Sequence, residues 1–291
     1  MIHCCPNPAP ALRGADPEKE NTMRIAIDAM GGDNAPHEIV KGCVDALPLM
    51  EEDLILVGDE ARVRAELEHY KYDSSRVTVL HASETITSDD APVRAVRTKP
   101  DSSLVKCLTL VRDGRADLFV SAGNTGAIMA AGLFILGRIQ GIDRPAIAAT
   151  YPVLGKGVAL LVDSGANVEC KPNNLLEFAT MGSIYMEKVL DVREPSVGLV
   201  NIGTEETKGT TVIKAAHELL SKSSINFIGN IEARDVPKGA CDVIVCDGFV
   251  GNVILKLTEG LAWTIFKLVK NKFTSGVLPK LGALLLSGKL L

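Results

Sequence analysis

Five short stretches concentrate the residue types able to hold a small anion: "DAMGGDNAP" (28–36), "SAGNTGA" (121–127), "DSGANVECKP" (163–172), "NIGTEETKG" (201–209) and "CDGFVGN" (246–252). Each follows an apolar run, and most lead into a segment of helical spacing. Glycine lets backbone N–H groups approach a ligand and adopt positive φ. A helix N-terminus adds unpaired donors and partial positive charge. Together they make an anion site, most naturally for phosphate. The candidate contacts are Asp28, Gly31, Gly32, Asp33 and Asn34 in the first stretch, and Ser121, Gly123, Asn124, Thr125 and Gly126 in the second. Asp163, Gly165, Asn167 and Lys171 follow in the third, Asn201, Glu205 and Lys208 in the fourth, and Asp247, Gly248 and Asn252 in the fifth. Lys171 and Lys208 add positive charge. Helix capping is the competing role for Ser121 and Asn124. Loop capping competes for Asp28, Asp33, Asp163 and Asp247.

Other chemistries find no pattern. There is no GxxxxGK[ST] loop, and "SAGNTGA" lacks GxGxxG spacing and a suitably placed later acid, so a whole dinucleotide is not indicated. No GxSxG occurs, and the histidines at 3, 37, 69, 81 and 217 stand near no obvious nucleophile. His37, beside the first stretch, is the only one kept as a site candidate. Cys170 and Cys246 adjoin the loops, but a buried and inert thiol is the commoner state. A reaction without a protein nucleophile fits this inventory, because bound phosphate can itself attack.

The elements that must position these loops alternate. Strand-like runs fall at 24–29, 54–59, 77–82, 117–123, 146–151, 158–163, 196–203, 225–230 and 242–248. Helical spacing falls at 36–48, 60–69, 102–113, 124–137, 173–190 and 209–222. This order predicts an α/β fold with a mainly parallel sheet and helices on both faces. Ligands bind beyond the carboxyl ends of strands in such sheets, so five strand-end loops imply one shared crevice. Residues 23–273 read as the α/β domain, with a seam near 144–157 where Pro145, Pro152, Gly155 and Gly157 interrupt the alternation. Residues 1–22 are polar and Pro-rich and lack the apolar core of a secretory signal, which predicts a disordered leader with Met23 as an alternative start.

The chain has 291 residues, of which 46% are hydrophobic, ample for a core. Seven cysteines, an odd number without a CxxC pair, argue against a disulfide framework or zinc site and for a reducing cytoplasmic setting. The net charge is −5, yet residues 260–291 carry five lysines and no acid. Within 251–273, Val253, Leu257, Leu261, Ile265 and Leu268 recur at helical spacing, and 274–291 is a greasy basic tail. Core or dimer packing is one reading of this end. An amphipathic element on an anionic membrane is the other. No nucleic-acid partner is expected.

The five stretches, with "DDAPVRAVRTKPDSS", "RPAIA" and "INFIGN", resemble in order and spacing the PlsX family of phosphate acyltransferases, from about Met23 through Gly260. Thr87 and Ser88 replace a segment that usually holds Met, and Ser164 stands where an apolar residue is commoner. The resemblance implies a fold like that of phosphotransacetylases and of isocitrate or isopropylmalate dehydrogenases, and a few dozen further residues beyond Leu291. It implies acyl transfer from acyl-acyl carrier protein to inorganic phosphate, giving acyl phosphate for phospholipid synthesis, with no metal or organic cofactor. A homodimer and peripheral contact with the inner face of the bacterial plasma membrane are attributed to the C-terminal region of that family. On this basis the N–H groups of 123–126, with Asn124, Asn167 and Lys171, are expected to hold phosphate, and Asn252 to stabilise the oxyanion. Two competing readings are an NAD-dependent dehydrogenase of related fold and a non-catalytic, shortened paralogue that binds acyl carrier protein or membrane.

Overall fold

A computed structural model describes residues 22–155 and 157–276. The expected leader and most of the expected tail lie outside the described residues. The chain divides at Pro145/Ala146 into two compact units.

The first unit holds β1 (Arg24–Asp28), α1 (His37–Ala46), β2 (Asp53–Gly58), α2 (Glu60–Leu67), β3 (Val77–His81), α3 (Pro92–Thr98), α4 (Ser103–Arg112), β4 (Leu118–Val120) and α5 (Thr125–Ala131). A π-helical turn, Gly132–Leu136, extends α5. The four strands form a wholly parallel sheet in the order β3-β2-β1-β4. The order reverses between β1 and β4, so the crevice at their carboxyl ends is the switch point where ligands enter such folds. The sheet is buried on both faces, which is why its strands read as apolar runs. Val40, Leu56 and Val63 pack on one side, and Leu104, Leu108 and Phe119 belong to the other core.

The second unit holds β5 (Ala148–Val153), β6 (Gly157–Val162), α6 (Pro172–Val189), β7 (Val197–Asn201), α7 (Thr211–Ser221), β8 (Phe227–Glu232), β9 (Val243–Val245) and α8 (Gly248–Thr274). Its sheet runs β5-β6-β9-β7-β8. β5 is antiparallel to β6, and the other pairings are parallel. The expectation of a mainly parallel sheet thus becomes two sheets, the second of them mixed. The cause is the short connection from Val153 to Gly157. Strands joined by a tight turn must be antiparallel, whereas a parallel pair needs a long crossover. Gly155 and Gly157, at φ 82° and 83°, supply the left-handed backbone that the turn requires. Pro152, which has no N–H to donate, is tolerated because β5 is an edge strand.

Helix starts place the loops. Pro172 pre-sets φ at the first position of α6. Asp247 caps α8 by accepting from the Val250 N–H at 2.8 Å, and Thr210 caps α7 by accepting from Ile213. Along α6, Gly182 allows close approach to the sheet, since a Cβ there would lie 2.6 Å from Val243 Cγ1.

Candidate active site

In the first unit the ends of β1 and β4 are tied together. The Ser121 hydroxyl donates to Asp28 Oδ2 at 2.7 Å, and the Gly123 N–H donates to Ser121 Oγ at 3.1 Å. The other Asp28 oxygen accepts the Met30 N–H, and the residue is buried. Gly31 fits only because it lacks a side chain: a Cβ would stand 2.6 Å from Asp28 Oδ2 and 2.9 Å from Ser121 Oγ. Asn124 caps α5, accepting the Ala127 N–H at 3.0 Å. Its amide donates toward the carbonyls of Thr87, at 3.1 Å, and of Ser88 and Asp90. Both ends of that side chain are therefore spent on positioning. The 87–90 turn is fixed in turn by Asp90, which accepts from the Thr87 N–H and pairs with Lys99 at 2.6 Å. The Lys99 ammonium holds the Asp90 carboxyl below the usual carboxylate range. Thr125 and Gly126 lie exposed at the first turn of α5, and Gly32, Asp33 and Asn34 are exposed in the β1 loop. His37 pairs with Glu66 at 2.8 Å.

In the second unit, β6, β9 and β7 are neighbours, so the third, fifth and fourth stretches emerge at adjacent strand ends. Asp163 is fully buried and organises the first of these loops. Oδ1 accepts from the N–H groups of Ile147, Gly165 and Ala166, and Oδ2 accepts from the Asn167 N–H at 2.6 Å and from Asn167 Nδ2 at 2.9 Å. A carboxylate so surrounded by donors is stabilised without a cationic partner. Ser164, the polar departure from the family pattern, is buried and donates its hydroxyl to the Ile147 carbonyl. The Gly248 N–H donates to the Asn167 carbonyl at 2.7 Å, which joins the β6 loop to the start of α8. Gly165, at φ 145°, faces Asn252: a Cβ there would stand 3.8 Å from its side chain.

Two donors at these strand ends stay available. The Lys171 ammonium is exposed at the N-terminus of the 18-residue α6 and, among the described residues, pairs with no carboxylate. Asn252, the fifth residue of α8, is exposed, and its side chain has no hydrogen bond to the described residues. Thus Asp163 and Asp247 are occupied by backbone donors, and Asp247 caps α8, while a cation, an amide and the N-terminus of α6 remain.

The fourth stretch is folded on itself. Asn201 Nδ2 donates to the Lys208 carbonyl, and its oxygen accepts the Ile202 N–H. Glu205 and Lys208 are exposed. Asn230 of β8 went unrecognised in the sequence. It is buried, donates to the Glu205 carbonyl at 3.0 Å and leaves Oδ1 without a partner among the described residues. Its only signal was a carboxamide inside the apolar run "INFIGNIE".

Cys246 lies beside this cluster at 1% exposure. Burial pushes its thiol well above the ordinary range, with Asp247 and Asp163 adding to the effect. It is no ready nucleophile.

Comparison with solved structures gives the class. A phosphotransacetylase from Streptococcus pyogenes superposes with a TM-score of 0.63 at 18% identity, covering 84% of this chain and 83% of that one. The EutD phosphotransacetylase from Staphylococcus aureus gives 0.59, also at 18%, covering 83% and 82%. The fold is therefore the α/β fold of phosphotransacetylases. A family model described as "Fatty acid synthesis protein" matches residues 23–291. The phosphate acyltransferase of Alkaliphilus oremlandii is 55% identical over 264 residues, 91% of this chain and 78% of that protein. That of Clostridium tetani is 52% identical over 266 residues, covering 91% and 79%. The chain belongs to the PlsX family of phosphate acyltransferases.

Proposed function

We propose that the chain transfers an acyl group from an acyl carrier protein thioester to inorganic phosphate, forming acyl phosphate and free carrier thiol. Family membership supports the reaction. The single structural observation that carries it is the set of available donors at the β6 and β9 ends, where the carboxylates are already satisfied. An uncompensated acid there would repel a phosphate dianion.

Lys171 and the α6 N-terminus hold the phosphate, beside the Gly165–Asn167 turn, whose N–H groups are spent on Asp163. Asn167 serves through its bond to Asp163, which fixes the turn. A phosphate oxygen attacks the thioester carbonyl carbon. Asn252 donates to the oxyanion, an interaction worth about 3–4 kcal/mol when well aimed. The C–S bond then breaks with its electron pair on sulfur, and solvent protonates the thiolate. A thiol's modest pKa makes a strong general acid unnecessary. Within the first unit, Asp28 and Ser121 fix the ends of β1 and β4, Asn124 acts by positioning, and the N–H groups of 124–126 open the first turn of α5. Asn201, Glu205 and Lys208 line the adjacent strand end. The wider likeness to isocitrate and isopropylmalate dehydrogenases belongs to the same proposal, supported by the wholly parallel first sheet with its switch-point loops.

The α8 helix suggests how the protein associates. From Leu257 onward it is exposed nearly all round, including Leu261, Trp263, Phe266 and Leu268. By length and composition it is the one helix among the described residues able to cross a membrane, with 11% of its apolar window buried. Such a surface is covered in a working protein. We assign it to a homodimer contact and to peripheral attachment on an anionic, cytoplasmic membrane face. A Leu257→Glu, Leu261→Glu variant that sediments with liposomes and self-associates like the wild type would count against this assignment.

The test of the reaction is phosphate-dependent release of carrier thiol. It should survive in Cys246→Ala, because no acyl-enzyme on sulfur is formed. Activity lost selectively in that variant, with folding intact, would point to a covalent route. A change in nicotinamide absorbance with a 2-hydroxy acid would revive the dehydrogenase reading.

A further inference from the structure

The proposed reaction leaves the place where the carrier lands unassigned. In the first unit, the face of α3 borders an open groove of about 470 Å³ lined by Ala91, Pro92, Val93, Arg94, Arg97 and Thr98. Val93 is 50% exposed, and nearby Phe134, on the π-helical turn, is 46% exposed. The Arg97 guanidinium lies over the Phe134 ring, 4.9 Å from its centroid. Stacking fixes a guanidinium in place and leaves its planar N–H edge free to meet carboxylates. Arg94, one turn away, is exposed. Among the described residues neither guanidinium pairs with a carboxylate. α3 itself carries no acid, and the closest in sequence, Asp90, is held by Lys99. On a chain of net charge −5, this is a cationic spot edged with apolar surface.

The groove also adjoins one of the strand-end loops. Pro92 packs against Gly126 so tightly that a Cβ on Gly126 would stand 2.7 Å from Pro92 Cγ. The apolar trough thus begins at the first turn of α5, where the second glycine-rich stretch ends.

We infer that the α3 face is the landing site of an acidic carrier protein. Arg94 and Arg97 engage its carboxylates, and the groove beside Val93 receives apolar surface from the carrier or its acyl chain. This rests on the proposed use of a carrier-bound thioester. Complementary charge at a rim acts mainly on encounter rate and is weakened by salt.

The test compares two thioesters, the acyl carrier protein conjugate and an acyl-pantetheine that has no protein to dock. In Arg94→Glu, Arg97→Glu, KM for the carrier conjugate should rise about tenfold or more. The KM for phosphate and the rate with acyl-pantetheine should stay within about twofold, since neither needs a docked protein. If the double reversal unfolds the chain, Arg94→Gln and Arg97→Gln decide instead, through a flatter salt dependence of the carrier KM than in the wild type. An unchanged carrier KM, or equal losses on both thioesters by a folded variant, overturns the docking site. A wild-type chain that releases thiol from neither thioester overturns the reaction itself.

Discussion

Lys171→Ala is expected to lower kcat/KM for phosphate by on the order of 10²-fold, with the fold intact. The ammonium is exposed and ends no internal ion pair among the described residues, so its removal leaves no buried charge behind. What is lost is a charge-assisted contact to a dianion, worth roughly 1.5–3 kcal/mol, together with part of the field at the α6 N-terminus. Each 1.4 kcal/mol is about a factor of ten. Lys171→Arg should recover part of the rate, because the charge is retained while its position changes. Initial rates of thiol release at varied phosphate read both effects. A near-normal rate for Lys171→Ala at subsaturating phosphate would remove this residue from the site.

Gly251→Ala is expected to damage both stability and activity. A Cβ at Gly251 would lie 1.9 Å from the Asp163 carbonyl oxygen and 3.0 Å from Cys246 Sγ. No rotamer can relieve a clash with backbone, so the first turn of α8 must move away from the β6 loop. Such overpacking costs about 1–3 kcal/mol, or more where the backbone resists, and should lower Tm by roughly 5–10 °C. The same shift carries Asn252 away from Gly165, and a displacement near 1 Å can cost about 10²-fold in rate. Gly260→Ala is the control. It lies on the same helix with nothing within 4 Å of its would-be Cβ, and should be neutral or stabilising by up to about 1 kcal/mol. Thermal melts and rates of the two variants separate crowding at the loop from a general effect of alanine in α8.

The fold class is legible in the sequence because parallel strands buried on both faces appear as uninterrupted apolar runs. "VALLVD" is the plainest case, and β6 lies where that run predicts it. The antiparallel β5–β6 pair was not legible, because an apolar strand looks alike in either direction. Only the closing of the Gly155–Gly157 turn decides it. α3 is illegible for another reason: "PVRAVRT" is seven residues long, too short for a 3.6-residue period to stand out.

At the site, residue types were legible and their duties were not. Asp163 and Lys171 sit in one stretch with similar claims to bind a ligand. Burial separates them, because Asp163 is enclosed by five donors while Lys171 faces solvent. Asn124 shows the same limit. A carboxamide before a helix can cap it or bind a ligand, and the positions of Ala127 and the 87–90 turn commit it to the first role. The cap on Ala127 is local, but the Thr87 carbonyl is 37 residues distant in sequence, and no local pattern reports that contact.

The most direct measurement follows the oxygen atoms. The protein is incubated with acyl carrier protein thioester and phosphate whose oxygens are all isotopically heavy, and the products are examined by mass spectrometry. Direct attack by bound phosphate predicts acyl phosphate that keeps every heavy oxygen, formed in equal amount to the free thiol. Free fatty acid appearing as the first product with solvent oxygen, or thiol released at the same rate without phosphate, would contradict it.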